Sequence, residues 1–198
     1  MKVAQRKKAF AALLSAFAAL TLLAFSIDAL ANAASPTDSA AKSLAIKSGK
    51  VEFLAIGKPS FLKVRGVGTA PTGELKLSGT KASGEFTFDL SSLDTEIALR
   101  NEHMKDKYLE VGKFPKATIR FKDVETKEGA KSAIPAELEL HGIKKTVSMD
   151  AELKPEGETK KATGTFKLKL TDFGITIPSH LGVTIADEVT VTIESVLK

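Results

Sequence analysis

The 198-residue chain has no cysteine, no tryptophan, a single tyrosine and only three histidines. The first absence excludes disulfides, thiolate metal sites and thiol catalysis together, so the fold must be held by packing. The histidines stand at positions 103, 141 and 180 with no i, i+4 pair among them, which gives no zinc or copper pattern. No serine sits in a G-x-S-x-G frame. Asp172-Phe173-Gly174 copies the kinase metal triplet, but neither a glycine-rich loop nor a His-Arg-Asp run precedes it. Gly66-Val67-Gly68 has Pro71 where a dinucleotide fingerprint needs glycine. Carboxylate neighbours such as Asp187-Glu188 read as solvated charge on a turn, and a glycosidase pair could come only from residues distant in sequence. The residues thus point away from an enzyme and call for no metal or catalytic cofactor.

Long apolar runs are also missing from Asn32 onward, where charged residues interrupt every hydrophobic stretch. One such run lies earlier, Ala9 to Ile27, directly behind Lys2, Arg6, Lys7 and Lys8. A basic segment followed by an apolar one predicts a secretory signal peptide. Two small-residue cleavage sites follow, Ala29-Leu30-Ala31 before Asn32 and Ala31-Asn32-Ala33 before Ala34; the first makes residues 1–31 the signal. An uncleaved anchor is the alternative for an apolar run of this length, and either reading puts the folded part in the periplasm or outside the cell. Residues 32–45, rich in Ala, Ser and Asp, are expected to be a flexible lead-in. Residues 46–198 suit one domain with a sizeable core. The net charge of +5 includes +3 from the first 31 residues, which leaves about +2 for the rest. With Lys and Glu interleaved, that balance argues against nucleic acid as a partner.

What is present from Val51 onward is period-two alternation between Gly, Pro and Asn/Asp punctuation. Gly84 to Leu90, Ala117 to Phe121 and Ala136 to Leu140 read as strands with one wet face. Thr146 to Leu153, Thr163 to Leu170 and Val189 to Ile193 repeat the pattern, and Val51 to Ala55, Phe61 to Val67 and Glu74 to Leu77 add three weaker segments. Eight or nine antiparallel strands joined by short turns predict an all-β fold, a meander closing into a barrel or sandwich. Arg100 to Leu109 breaks the rhythm with good helix formers and predicts one short helical insertion ended by Gly112 and Pro115. An eight-stranded barrel either fills with side chains or keeps room for one small ligand, and by residues alone the filled core is the commoner outcome.

An ordered series of residues narrows this choice. It comprises Asp94-Thr95, Arg100-Asn101-Glu102-His103-Met104, Tyr108-Leu109-Glu110, Phe114-Pro115-Lys116-Ala117 and Leu140-His141-Gly142-Ile143-Lys144-Lys145. The series resembles the YceI-like family over residues 50–198, most strongly from Gly84 to Lys145. The resemblance implies an exported protein with an eight-stranded lipocalin-like barrel that binds polyisoprenoid chains, isoprenoid quinones or related long amphiphilic lipids. Family members usually carry Asp where Asn101 stands, and a first pair of strands longer and more aromatic than Val51 to Val67.

On that basis Phe86, Phe88, Leu90, Ile119, Phe121, Leu138, Leu140, Met149 and Phe166 are the expected wall of a lipid pocket, since aromatic and Met side chains offer large, adaptable contact area. Arg100 and His103, on the helical insertion, are candidates for the head group: Arg offers a charged planar fork and His a hydrogen bond near neutral pH. The plainer reading pairs Arg100 with Asp94 or Glu96 and lets His103 satisfy a carbonyl. Met104 and Leu109 are expected to seat the helix, and His141 to be a turn residue. The function expected is a periplasmic carrier of a long-chain isoprenoid such as a polyprenyl chain or a quinone, in transient contact with a membrane or membrane enzyme. The alternative is a non-catalytic envelope interaction or stress module with a filled core.

Overall fold

The computed structural model describes residues 41–198, except Pro59, Leu181 and the side chain of His180. The expected signal peptide and most of the expected lead-in lie outside the described residues. Ten strands follow one another, β1 (Lys42–Lys58), β2 (Lys63–Gly68), β3 (Thr72–Ser78), β4 (Lys81–Asp89), β5 (Lys116–Glu125), β6 (Lys131–Leu140), β7 (Ile143–Glu156), β8 (Thr159–Lys169), β9 (Ser179–His180) and β10 (Val183–Leu197). All pair antiparallel, and β10 returns to β1 to close the sheet.

The barrel has eight staves because β2 and β3 share one. Residues 63–68 of β2 pair with 56–51 of β1, and residues 74–77 of β3 pair with 45–42 of the same strand. Pro71, which has no N–H to give a ladder, stands in the break. The other staves are β1, β4, β5, β6, β7, β8 and β10, while two-residue β9 adds a short flap on β10. The two weak segments Phe61 to Val67 and Glu74 to Leu77 are thus halves of a single bent strand.

β1 differs most from expectation. Val51 to Ala55 is the centre of a 17-residue strand that starts at Lys42, inside the expected lead-in and ahead of the boundary at residue 46. Leu44 is buried and Ile46 packs on the core, so a short alternation hidden among small residues is paired on both edges. Gly49 lets this strand run its length: it lies beside a bulge against β10, and a Cβ there would sit 2.1 Å from the Glu194 carbonyl oxygen.

Alternation turns one apolar face of each strand inward. Phe86 and Phe88 of β4, Ile134, Ala136, Leu138 and Leu140 of β6, Phe166 and Leu168 of β8 and Val189 and Ile193 of β10 are all buried. Outward residues form charge ladders, as where Arg120 of β5 lies 3.1 Å from Glu85 of β4 and 3.0 Å from Glu139 of β6.

The two ends of the barrel differ. At one end the β3–β4, β5–β6 and β7–β8 links are short. At the other end residues 90–115 and 170–182 form long crossings. The first contains α1 (Ala98–Glu102), where the Asn101 N–H donates to the Ile97 oxygen at 2.9 Å. It continues through His103–Tyr108 in wider π turns, shown by Leu109 N–H donating to the Met104 oxygen at 2.8 Å. The predicted insertion is therefore real, beginning two residues earlier and ending one residue earlier than Arg100 to Leu109. In the second crossing Leu170–Phe173 forms a 3-10 turn, ended by left-handed Gly174, that buries Phe173 completely. The kinase-like triplet is a plug.

Candidate ligand cavity

Beneath the helical segment the barrel holds a cavity of about 520 Å³. Phe88, Leu90, Leu138, Leu140 and Phe166 line it, as do Arg100 and His103 from the helix. The structure thus brings seven of the predicted site residues to one space. It places the other four, Phe86, Ile119, Phe121 and Met149, around a separate void of about 60 Å³ nearer the short-link end. The reason is the filling of that half. Gly84 and Gly164 leave room for the larger side chains of Phe121 and Met149, whose atoms would lie 2.8 and 2.7 Å from an added Cβ, and these occupy the bore. Phe86 and Phe121 pack with ring centres 5.9 Å apart.

Much of the larger wall comes from residues that the sequence reading did not single out: Phe53 of β1, Val64 of β2, and Ile185 and Val191 of β10. The period-two signal in Val51-Phe53-Ala55 and Val189-Val191-Ile193 marks those inward faces, but not which half of the barrel stays open. Met104 and Leu109, expected as helix anchors, pack on the core and also line the cavity. Tyr108 lines it too, and its hydroxyl meets the Ser179 N–H and carbonyl at 3.4 Å each, joining the helix to β9.

Polar groups are few and sit at one end. Arg100 Nη2 donates to the Thr95 carbonyl oxygen at 2.5 Å. Its Nε is buried and has no hydrogen-bond partner. The expected pairing of Arg100 with Asp94 or Glu96 is not formed: Asp94 accepts from Asn101 Nδ2 at 2.7 Å and from the Glu96 N–H at 2.8 Å. These two bonds, Asn101 first, hold the Asp94 carboxyl below the usual carboxylate range. Asn101 Oδ1 accepts from the N–H and the hydroxyl of buried Thr95, at 2.8 and 2.6 Å. A carboxylate at position 101 would keep those two bonds and lose the donor to Asp94, so Asn suits this neighbour.

His141 does more than turn the chain. With φ of 52° it closes the β6–β7 hairpin, and its ring reaches the Phe173 carbonyl through Nδ1 at 3.1 Å and Glu110 Oε2 through Nε2 at 3.0 Å. Phe114 packs on the ring with centres 4.3 Å apart. The residue fastens both crossings to the barrel below the cavity mouth. Glu110 is held below its ordinary value chiefly by Lys113 and then by His141. Among the described residues no group of three or more His, Asp or Glu is placed to hold a metal ion.

A closed eight-stranded antiparallel barrel with an apolar bore, capped at one end by a short helix, defines the lipocalin-like class. Within it, the YceI-like domain matches residues 38–197, and the chain belongs to the YceI-like family. Protein YceI of Salmonella arizonae is 36% identical over 99 residues, covering 46% of this chain and 50% of the relative. The chain spans about half the length of the curated relatives it matches. Burkholderia cenocepacia BcnA shares the fold at a TM-score of 0.64 with 21% identity, over 75% of this chain and 95% of that one. So does a polyisoprenoid binding domain from Saccharophagus degradans implicated in plant cell wall breakdown, at 0.60 with 15% identity, over 78% and 97%. The Campylobacter jejuni YCEI protein follows at 0.54 with 22% identity, over 67% and 83%.

Proposed function

We propose that this protein binds a long-chain isoprenoid or similar amphiphilic lipid, with the tail in the barrel and the head beside Arg100 and His103, and carries it through the periplasm without altering it covalently. The observation that carries the reading is the 520 Å³ bore, walled mainly by aliphatic and aromatic side chains, with few polar residues among them. The buried, unpartnered Arg100 Nε supports the placing of the head, because a buried donor without an acceptor is costly and a phosphate, carboxylate or quinone oxygen would satisfy it. Family membership and the likeness to a domain described as polyisoprenoid binding point the same way. A non-catalytic carrier fits the scarcity of nucleophile and base pairs, and the N-terminal basic and apolar segments fit export. The cavity also favours this reading over the filled-core interaction module.

Capacity suits such a ligand: a cavity of about 520 Å³ is of the size that holds a small molecule or the tail of an amphiphile. The test is native mass spectrometry of the protein recovered from its own periplasm, with organic extraction of whatever is bound. A stoichiometric isoprenoid or quinone is the expected result. An empty protein that also takes up no polyprenyl or quinone probe would overturn the proposal.

A further inference from the structure

The outer surface of the barrel is polar almost everywhere, and its exceptions are gathered at one end. Among the described residues the exposed large hydrophobic side chains are Phe61, Val67, Ile97, Leu99 and Ile143. Phe61 is in the β1–β2 turn, Ile97 and Leu99 are at the start of the helical segment, and Ile143 opens β7. All four positions belong to the end with the long crossings. Val67 lies in β2 and is bridged to Asp94 of the same crossing. The opposite end carries charge in its turns, where Lys160 pairs with Glu128, and Lys198 with Glu158 at 2.8 Å.

Ile97 and Leu99 are 51% and 54% exposed while also lining the cavity, so they form its lip. Phe61, 77% exposed, projects from the neighbouring hairpin, whose Val64 lines the same cavity. An aromatic ring and two aliphatic side chains left this open at the same end of a barrel are an apolar surface that calls for a partner. Basic residues accompany these apolar ones. Lys58 and Lys63 flank Phe61, Arg65 follows, and Lys105 and Lys107 stand on the helical segment, where the neighbouring acids are Asp94, Glu96, Glu102 and Asp106. Among the described residues no carboxylate lies within ion-pair distance of Lys58, Lys63 or Arg65.

We infer that this end is a docking surface for an anionic lipid bilayer: Phe61, Ile97 and Leu99 enter the headgroup region while Lys58, Lys63 and Arg65 meet the phosphates, bringing the cavity mouth onto the membrane. Apolar side chains inserted at the interface and basic residues held just above it are the two elements such binding needs. The surface concerns where a ligand is met, so it stands or falls separately from what the barrel holds.

The absence of cysteine provides a clean test. Phe61→Cys in the β1–β2 turn and Glu158→Cys at the far end each offer a single thiol for an environment-sensitive nitrobenzoxadiazole label, and both positions are too exposed for the change to threaten folding. Vesicles of phosphatidylethanolamine with phosphatidylglycerol are added with no ligand present. The label at position 61 is expected to shift to the blue and brighten several-fold, and the label at 158 to stay unchanged. The response at 61 should fall several-fold with phosphatidylcholine vesicles or in about 0.5 M salt, where screening is short-ranged. Leu99→Ser added to the labelled protein should weaken it further. No response at 61, or an equal response at both ends, would overturn the inference. A site-specific readout keeps any membrane affinity of the N-terminal apolar run from being mistaken for docking of the barrel.

Discussion

Arg100 grips the Thr95 carbonyl through Nη2 at 2.5 Å while its Nε remains buried and without an acceptor. One edge of the guanidinium is thus committed to the fold and Nε is left unpaired, while the side chain as a whole lines the cavity. Removing it should separate head from tail. Arg100→Ala is expected to weaken binding of farnesyl diphosphate by about ten- to a hundredfold, the worth of roughly 1.5–3 kcal/mol for a hydrogen bond to a charged group. Farnesol has the same tail and no charge, and its affinity should change little. Fluorescence titration of the two ligands decides the matter: an equal loss for both would mean that Arg100 shapes the mouth rather than meeting the head.

Asn101 is the hub of the turn that leads into the helix. Its side chain satisfies the buried N–H and hydroxyl of Thr95 and donates to Asp94. Asn101→Ala should cost about 1–3 kcal/mol, because it leaves buried donors unpaired. Asn101→Asp keeps the acceptor but faces Asp94 with a second carboxylate. Its penalty should be smaller than that of Ala and should shrink as acid neutralises the pair. Urea melts of both variants at neutral and mildly acid pH check the order and the trend.

The barrel itself should weaken in acid. Hydrogen bonds from Ser91 hold Asp89 below its ordinary value, those from Asn101 and Glu96 hold Asp94, and those from Thr171 hold Asp187. Glu110 is held down mainly by Lys113, and Glu139 mainly by Arg120. A carboxyl whose folded value is depressed contributes stability above its unfolded value, about 4, and loses it as pH falls through the folded value. Denaturant midpoints should therefore be flat down to about pH 5 and fall below it. Each exposed group adds little. Concentrated salt should remove the part due to Lys113 and Arg120 and spare the part due to backbone N–H donors. A midpoint that rises on acidification would contradict this assignment.

The parts of this fold that were legible in the sequence are those whose signal is local. Alternation in Gly84 to Leu90 and Ala136 to Leu140 gives strands, and the broken rhythm after Arg100 gives the helix. The length of β1 was not legible, because Leu44 and Ile46 stand among Ala, Ser and Lys and their burial depends on pairing with Leu75 and Leu197, far away in the chain. The site divides in the same way. Period two identifies which residues face inward, but whether an inward residue meets open space depends on what stands across the bore. Phe88 meets the cavity, whereas Phe86, two residues earlier on the same face, meets Phe121. His141 shows a further limit: its turn position was readable, but its partners Glu110 and Phe173 are 31 and 32 residues away.

The floor of the cavity should set the preferred chain length. Phe166 lines the larger space, while its cross-strand partner Met149 lines the smaller void. Leu138 and its partner Ile119 divide in the same way. The two spaces thus adjoin at this layer of the barrel. Met149→Ala removes three side-chain heavy atoms and should join the void of about 60 Å³ to the bore, deepening it at its floor. Truncating a buried Met costs about 2–5 kcal/mol when the space stays empty, and a longer tail should recover part of that by filling it. The variant is therefore expected to melt earlier when empty, yet to shift its preference from a C15 toward a C20 isoprenoid of the same head group, by at least about tenfold in relative affinity if part of the added unit is buried and up to several hundredfold if all of it is. Competition between the two chains, run beside thermal melts with and without each, separates the effects. An unchanged ranking, with the melting loss left unrelieved by the longer chain, would show that tails never reach this floor and that length is selected at the mouth.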